Sequence, residues 1–343
     1  MGAKSDIEWT DASWTPIRAK NLKTGKLGWH CEHDTTGCIH CYSEAMNLRL
    51  GTGLPFKPGH RKDIEIFLDE KMLLAPLHWR KPRMVFVCSM TDLFAEFMKD
   101  EWIDRVLAVM ALCPQHTFQV LTKRAARMRD YMNSITFGRI DAACLSLRSD
   151  KPLVAAHTLF KNVWLGVSCE RQQEADERIP FLLQTPAAVR FISAEPLLGA
   201  IDLTRLCILP QKPGSIRAGI HMDALRGKYW ESGVAYKGDW DVRGPAPPDS
   251  EHRKLDWVIV GGESGKEARP MQLEWAMDIV RQCKKADVKC FVKQLGDAAQ
   301  SDGYLYKLKT PKGGDPAEWP DILKVRQMPT VERDRTAARV HQE

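Results

Sequence analysis

The chain has 343 residues, 44% hydrophobic and 27% charged, which is the balance of a globular protein able to bury a large core in one or two domains. A net charge of +6 permits a polyanionic partner without requiring one, and no run of about 18 apolar residues offers a membrane span. Residues 1–6 lack the apolar core of a secretory signal. The ten cysteines sit mostly singly inside apolar runs, so a reducing, cytoplasmic setting is expected.

In chain order, the first expected strand is the weak run 7–10. Three cysteines follow, Cys31, Cys38 and Cys41, in a C-x6-C-x2-C spacing with Gly37 immediately before the second, and a helical segment over 43–50 comes directly after them. Three thiolates on one loop are a poor disulfide set and a good metal or cluster set. Three cysteines hold three irons of a four-iron cluster and leave the fourth open to a ligand or a reaction. Spacing also leaves zinc open, with His30, His33 or His40 as a fourth ligand, although no second C-x2-C knuckle exists to complete a common structural zinc module.

Apolar runs then recur at 84–89, 117–122, 163–168, 189–193, 257–260 and 289–292, separated by helical patterns at 101–112, 125–132, 172–183 and 273–286. Such runs read as buried parallel strands in βα units. The expected fold class is α/β, a (β/α) TIM-type barrel, full or partial, with irregular insertions. One domain is expected over 1–299, with insertions at about 137–161 and 210–254. A polar extension over 300–343 would carry Tyr304, Tyr306 and Trp319 as docking anchors.

Polar residues gather after the strands: Ser89, Thr91 and Asp92; Lys123 and Arg124; Ser168 and Glu170; Glu195; Gly261, Gly262 and Glu263; Lys293. Any one of these reads as an ordinary loop residue or salt-bridge partner. Their recurrence at one edge of a parallel sheet argues for a shared pocket. Cations also interleave with aromatics in the second insertion, where Arg226 and Lys228 neighbour Tyr229 and Trp230. Arg217, Lys237, Arg243, Arg253 and Lys254 accompany Tyr236 and Trp240. That mixture grips phosphates while stacking bases, so nucleic acid is the leading expected partner.

The motifs Ile7-Glu8-Trp9-Thr10, Cys41-Tyr42-Ser43-Glu44, Cys88-Ser89-Met90-Thr91-Asp92, Leu121-Thr122-Lys123-Arg124, Ser193-Ala194-Glu195-Pro196 and Gly261-Gly262-Glu263-Ser264-Gly265 together resemble the phage Gp37/Gp68 family. That family carries a three-Cys motif and is similar to radical S-adenosylmethionine (SAM) enzymes. The resemblance covers the chain to about Gln294. It implies a [4Fe-4S] cluster on Cys31, Cys38 and Cys41, with SAM on the open iron and a 5'-deoxyadenosyl radical as the reactive product. It further implies cofactor contacts from Ser89, Thr91, Asp92, Ser168, Glu170, Gly261 and Gly262, catalytic roles for Glu195, Glu263 and Lys293, and anionic substrate groups on Lys123 and Arg124. The implied substrate is a nucleic acid or nucleotide, DNA before RNA, undergoing base modification or repair. A reductase or flavodoxin-type electron donor is the implied partner. The departure is the first cysteine gap, six residues where the usual radical SAM loop has three. Two alternatives remain beside this reading: a non-catalytic Fe–S module that binds nucleic acid or a partner, and a zinc-containing barrel hydrolase using Glu195 and Glu263.

Overall fold

The computed structural model describes residues 5–147, 161–209, 219–231 and 253–330. Its centre is a seven-stranded sheet of β1 (Ala12–Trp14), β2 (Met84–Val87), β3 (Thr117–Thr122), β4 (Val163–Ser168), β5 (Val189–Ala194), β6 (Trp257–Gly261) and β7 (Lys289–Gln294). Spatial order equals chain order, and every pairing is parallel. Parallel strands covered on both faces need apolar residues at successive positions, and every residue of β4 and β6 is buried.

The covering helices are α2 (Asp100–Leu112), α3 (Ala125–Ser134), α4 (Phe137–Leu147), α5 (Gln172–Leu183) and α6 (Leu273–Ala286). In α2, Ile103, Val106, Leu107 and Met110 recur at helical spacing and are all buried. Helical crossovers between parallel neighbours bring the C-terminal ends of the strands to one edge. The segment between β1 and β2 instead holds the cysteine loop, helix α1 (Tyr42–Leu50) and a small antiparallel sheet of Ile17–Asn21, Leu27–Gly28 and Ile64–Leu68.

Aromatic residues show how far the sheet curls. Trp9 lies 4.8 Å from Phe86 on β2 and 6.3 Å from Trp257 on β6, centroid to centroid. In a flat sheet four strand spacings of about 4.8 Å would separate β2 from β6, far more than one indole can bridge. Trp164, Phe191 and Phe291 complete this inner cluster.

The TIM-type barrel expectation is corrected by the sheet's edges. Among the described residues β1 and β7 do not pair, so the sheet is an open, curled half-barrel accompanied by three small, mainly antiparallel sheets. The outer edge of β7 is taken by the returning C-terminal segment: Val292 N–H donates to Val325 O at 2.8 Å and Gln327 N–H to Cys290 O at 2.9 Å. A strand edge already hydrogen-bonded to such a segment has no backbone groups left to close onto β1.

Other expectations change as well. The run 7–10 is a turn, and the first strand lies at Ala12–Trp14. The supposedly irregular stretch from 137 begins as α4, whose Cys144 thiol reaches Ala108 O on α2 at 3.7 Å. Within the second insertion, Ile220–Asp223 and Lys228–Glu231 form a hairpin that extends to Leu206–Leu209. Residues 148–160, 210–218 and 232–252 lie outside the described residues, and with them Arg217, Tyr236, Lys237, Trp240 and Arg243. Trp319 is buried rather than a free anchor, its indole N–H donating to Gly313 O at 3.0 Å. Tyr304 is exposed, while Tyr306 donates to Glu318 O at 3.0 Å. No helix among the described residues is long and apolar enough to cross a membrane.

Candidate functional site at the three-cysteine loop

The cysteine loop is fastened to the C-terminal end of β2. Cys88, the residue after that strand, has φ at 56°, a left-handed conformation unusual for a residue with a side chain. The carbonyl of the next residue, Ser89, accepts hydrogen bonds from Tyr42 Oη and Ser43 Oγ, both at 2.9 Å, on the first turn of α1. Thr91 Oγ1 donates to His30 O at 2.6 Å from the other side. Cys41 is the N-cap of α1, where the nearby Glu44 and Ser43 amides favour its thiolate, and Asp34 N–H donates to Cys38 Sγ at 3.5 Å.

All three thiols are free and partly buried. Burial pushes the Cys31 thiol up to about 12; the Asp92 carboxylate adds to the rise and the Arg124 guanidinium opposes it. Burial also raises Cys41, against the pull of the Glu44 and Ser43 amides. Cys38 and Cys41 both act on Cys31, and Cys38 on Cys41, so the three sulfurs lie within electrostatic range of one another.

Beneath the loop sits Glu170, 0% exposed, just past the end of β4. Lys123 Nζ approaches its Oε1 at 3.0 Å and Arg178 Nη1 its Oε2 at 3.1 Å, while Thr35 Oγ1 donates to Oε1 at 3.3 Å. Burial alone would raise the Glu170 carboxyl, but Lys123 and Arg178 outweigh it and hold it below the ordinary carboxylate range. Lys123 behaves reciprocally: burial disfavours its ammonium, yet Glu170 and the Cys38 thiol raise it. Arg178 also donates to Ser168 O at 2.7 Å and to Asp34 Oδ2 at 2.5 Å, joining β4 to the loop. Gly37 is required here, because a Cβ at that position would come within 2.6 Å of Glu170 Cδ and Cγ.

Two further ion pairs stand at the ends of β5 to β7. Lys293 Nζ lies 3.3 Å from Glu195 Oε1, and Ser193 Oγ donates to Glu195 Oε2 at 3.1 Å. Burial lowers Lys293, but Glu195, then Glu8 and Tyr42, more than compensate and its ammonium is favoured. Glu263 accepts from Arg269 Nε and backbone N at 2.8 Å each and from Arg269 Nη2 at 2.6 Å, and it faces His40 Nδ1 at 3.2 Å. Arg269 Nη1 continues to Thr36 O at 2.8 Å, so this pair also holds the loop. Gly262 allows β6 to meet β7 closely, since a Cβ there would lie 2.6 Å from the carbonyl carbon of Leu295. At Gly261 a Cβ would fall 3.1 Å from Glu195 Cδ.

The structure therefore brings the expected residues to one edge, but not all in the same capacity. Asp92 spends its carboxylate on protein groups: Thr122 Oγ1 at 2.7 Å, Phe94 N–H at 2.9 Å and Lys123 N–H at 3.0 Å, with Arg124 Nη1 at 3.5 Å. Arg124 Nη2 also donates to Glu32 O at 2.8 Å, beside Cys31. Thr91 and Ser89 serve the loop backbone, and Ser168 is buried with its carbonyl on Arg178. Arg178 and Arg269 were not foreseen. Arg178 shares a helical face with Ala175, Ile179 and Leu182, and a cation among buried apolar positions was the available signal. Arg269 had no such marker.

Among the described residues no three Cys, His, Asp or Glu side chains converge closely enough to enclose one metal ion. With Zn–S bonds of about 2.3 Å, tetrahedral zinc needs its sulfurs within about 4 Å of each other. A cluster takes each sulfur on a separate iron and tolerates wider spacing. Three free thiols, an N–H group directed at Cys38 and nearby cations make a donor set suited to thiolate ligation.

Fold and site together define an α/β protein with an open parallel sheet that carries a three-cysteine loop across its C-terminal edge. The chain belongs to the family described as a protein of unknown function, DUF5131, whose sequence profile matches residues 4–339. No curated protein and no solved structure gives a significant match.

Proposed function

We propose that this protein is a cytoplasmic [4Fe-4S] enzyme of the radical SAM type acting on a nucleic acid or nucleotide substrate, in keeping with its resemblance to the phage Gp37/Gp68 family. The observation that carries the reading is the placement of Cys31, Cys38 and Cys41 on one loop, within electrostatic range of each other, over the strand ends that also bear Glu195–Lys293 and Glu263–Arg269.

In this reading the three cysteines hold three irons. A cluster held there would supply one-electron chemistry to bound SAM, with a flavodoxin-type donor as the electron source. The protein's own residues do the rest. The Glu44 and Ser43 amides and Lys123 favour thiolate at Cys41, and Arg124 favours it at Cys31, each opposing the burial that favours thiol. Glu170, with Lys123 and Arg178, fixes the loop from below. Glu195 and Lys293 form a charged pair within reach of a ligand above β5 to β7, able to orient a polar group.

Anaerobic reconstitution with iron and sulfide, followed by dithionite and SAM, tests the proposal. Release of 5'-deoxyadenosine is the expected result. Iron incorporation without SAM cleavage would make the protein a non-catalytic cluster module, and tightly bound zinc without a brown chromophore would overturn the cluster assignment.

A further inference from the structure

Away from the cysteine loop, the hairpin of Ile220–Asp223 and Lys228–Glu231, the turn at residues 202–205 and the last turns of α6 enclose a cavity of about 540 Å³. None of its lining residues belongs to the cysteine loop or to the ion pairs that hold that loop. The walls carry four cations, Arg205, Arg226, Lys228 and Lys285, against two carboxylates, Asp202 and Asp223.

The wall is built rather than incidental. Asp223 Oδ2 accepts from Arg226 Nη1 at 2.7 Å, and Arg226 Nη2 reaches across to Lys285 O on α6 at 3.1 Å. Gln282 ties the facing turn, accepting from Leu203 N–H at 2.7 Å and donating to Ile201 O at 3.0 Å. Asp202 Oδ1 is turned inward onto Thr204, accepting its Oγ1 at 2.6 Å and its N–H at 2.9 Å. Arg205, Lys228 and Lys285 are exposed and form no ion pair with described residues. Trp230 lines the same cavity and stacks on His221, with centroids 5.7 Å apart at 24° between planes.

Uncommitted cations beside a braced indole match a ligand with both phosphate and a flat π-face. The volume falls within the range of small-ligand sites and suits one nucleotide. We propose that this cavity binds a nucleotide unit of single-stranded nucleic acid, phosphate on Arg205, Lys228 and Lys285 and base on Trp230, as a docking site separate from the cysteine edge. The inference rests on the substrate half of the function proposed above.

Fluorescence anisotropy of the full chain with fluorescein-labelled dT12 tests it, alongside an abasic oligomer of equal charge. Affinity for dT12 should fall about ten-fold or more in the R205E/K228E double variant and about five-fold or more in W230A, and W230F should restore most of the latter loss. The abasic oligomer should bind more weakly and ignore W230A. Unchanged dT12 affinity in the charge-reversed protein, or equal binding of the abasic oligomer with no effect of W230A, would overturn the inference. Iron content of the same preparations separates the two readings. Oligonucleotide binding without iron sinks only the cofactor assignment, and iron without oligonucleotide binding sinks only this one.

Discussion

Gly37 and Glu170 meet with no space between them: the backbone of the cysteine loop rests on a fully buried carboxylate that is itself held by Lys123 and Arg178. The residue before Cys38 thus has to be glycine for a reason that lies 133 positions away in the chain. Placing a methyl there forces either the loop or the carboxylate to move. Gly37→Ala should destabilise the protein by about 1–3 kcal/mol, the usual cost of overpacking. It should also reduce the iron retained after reconstitution. Urea denaturation and iron assay read both; wild-type values in each would mean that the loop does not depend on this contact.

Removing the carboxylate should cost more than crowding it. Glu170→Gln leaves Lys123 without its carboxylate and Arg178 with Asp34 alone, and breaking one side of a buried ion pair typically costs about 3–5 kcal/mol. Charge-neutralising Arg178→Met in the same chain should recover part of that loss. A double variant no more stable than Glu170→Gln alone would show that the network does not act as a unit.

Glu263 predicts a pH dependence. Burial raises its carboxyl, but hydrogen bonds from Arg269 and His40 pull it below the ordinary range. A depressed carboxyl contributes stability that is complete above the unfolded value of about 4.3 and is lost as pH falls through the lower folded value. Glu263→Gln should therefore cost about 1–3 kcal/mol at pH 7. The gap between variant and parent should narrow below about pH 4. Chemical denaturation across pH 3 to 7 measures it, and a gap of constant size would show that Arg269 does not stabilise the ionised form.

Trp9 bridges β2 and β6, and this contact should hold the curl of the sheet. Trp9→Ala should destabilise by about 3–5 kcal/mol. Trp9→Phe should recover most of that loss. Loss of stability no larger than for an exposed tryptophan would argue that the curl is fixed elsewhere.

Most of the sheet was readable from the chain because strands buried on both faces show as unbroken apolar runs, as in Val163–Ser168 and Trp257–Gly261. β1 was misplaced because three residues, Ala12–Trp14, give no periodicity to read. The α4 pattern was present, with Ile140 and Cys144 four apart and both buried, but Gly138 and the polar residues around it masked the helix. Closure could not be read, since whether β7 pairs with β1 or with Val325 and Gln327 depends on a tail whose own sequence is polar and turn-rich. At the site, the cysteines and the charged strand ends were visible as residue types. The division of labour was not: Asp92 and Glu170 look like ligand-binding carboxylates in sequence, and only their partners Thr122, Lys123 and Arg178 show them bracing the loop.

The central claim is that Cys31, Cys38 and Cys41 share one iron–sulfur cluster. Iron and acid-labile sulfide measured on anaerobically purified or reconstituted protein, with Cys31→Ala, Cys38→Ala and Cys41→Ala beside the parent, test it most directly. About four irons and four sulfides per chain in the parent, with each substitution stripping the brown chromophore, is the predicted result. A parent that takes up no labile sulfide, or a Cys38→Ala protein that keeps its full iron, would contradict it.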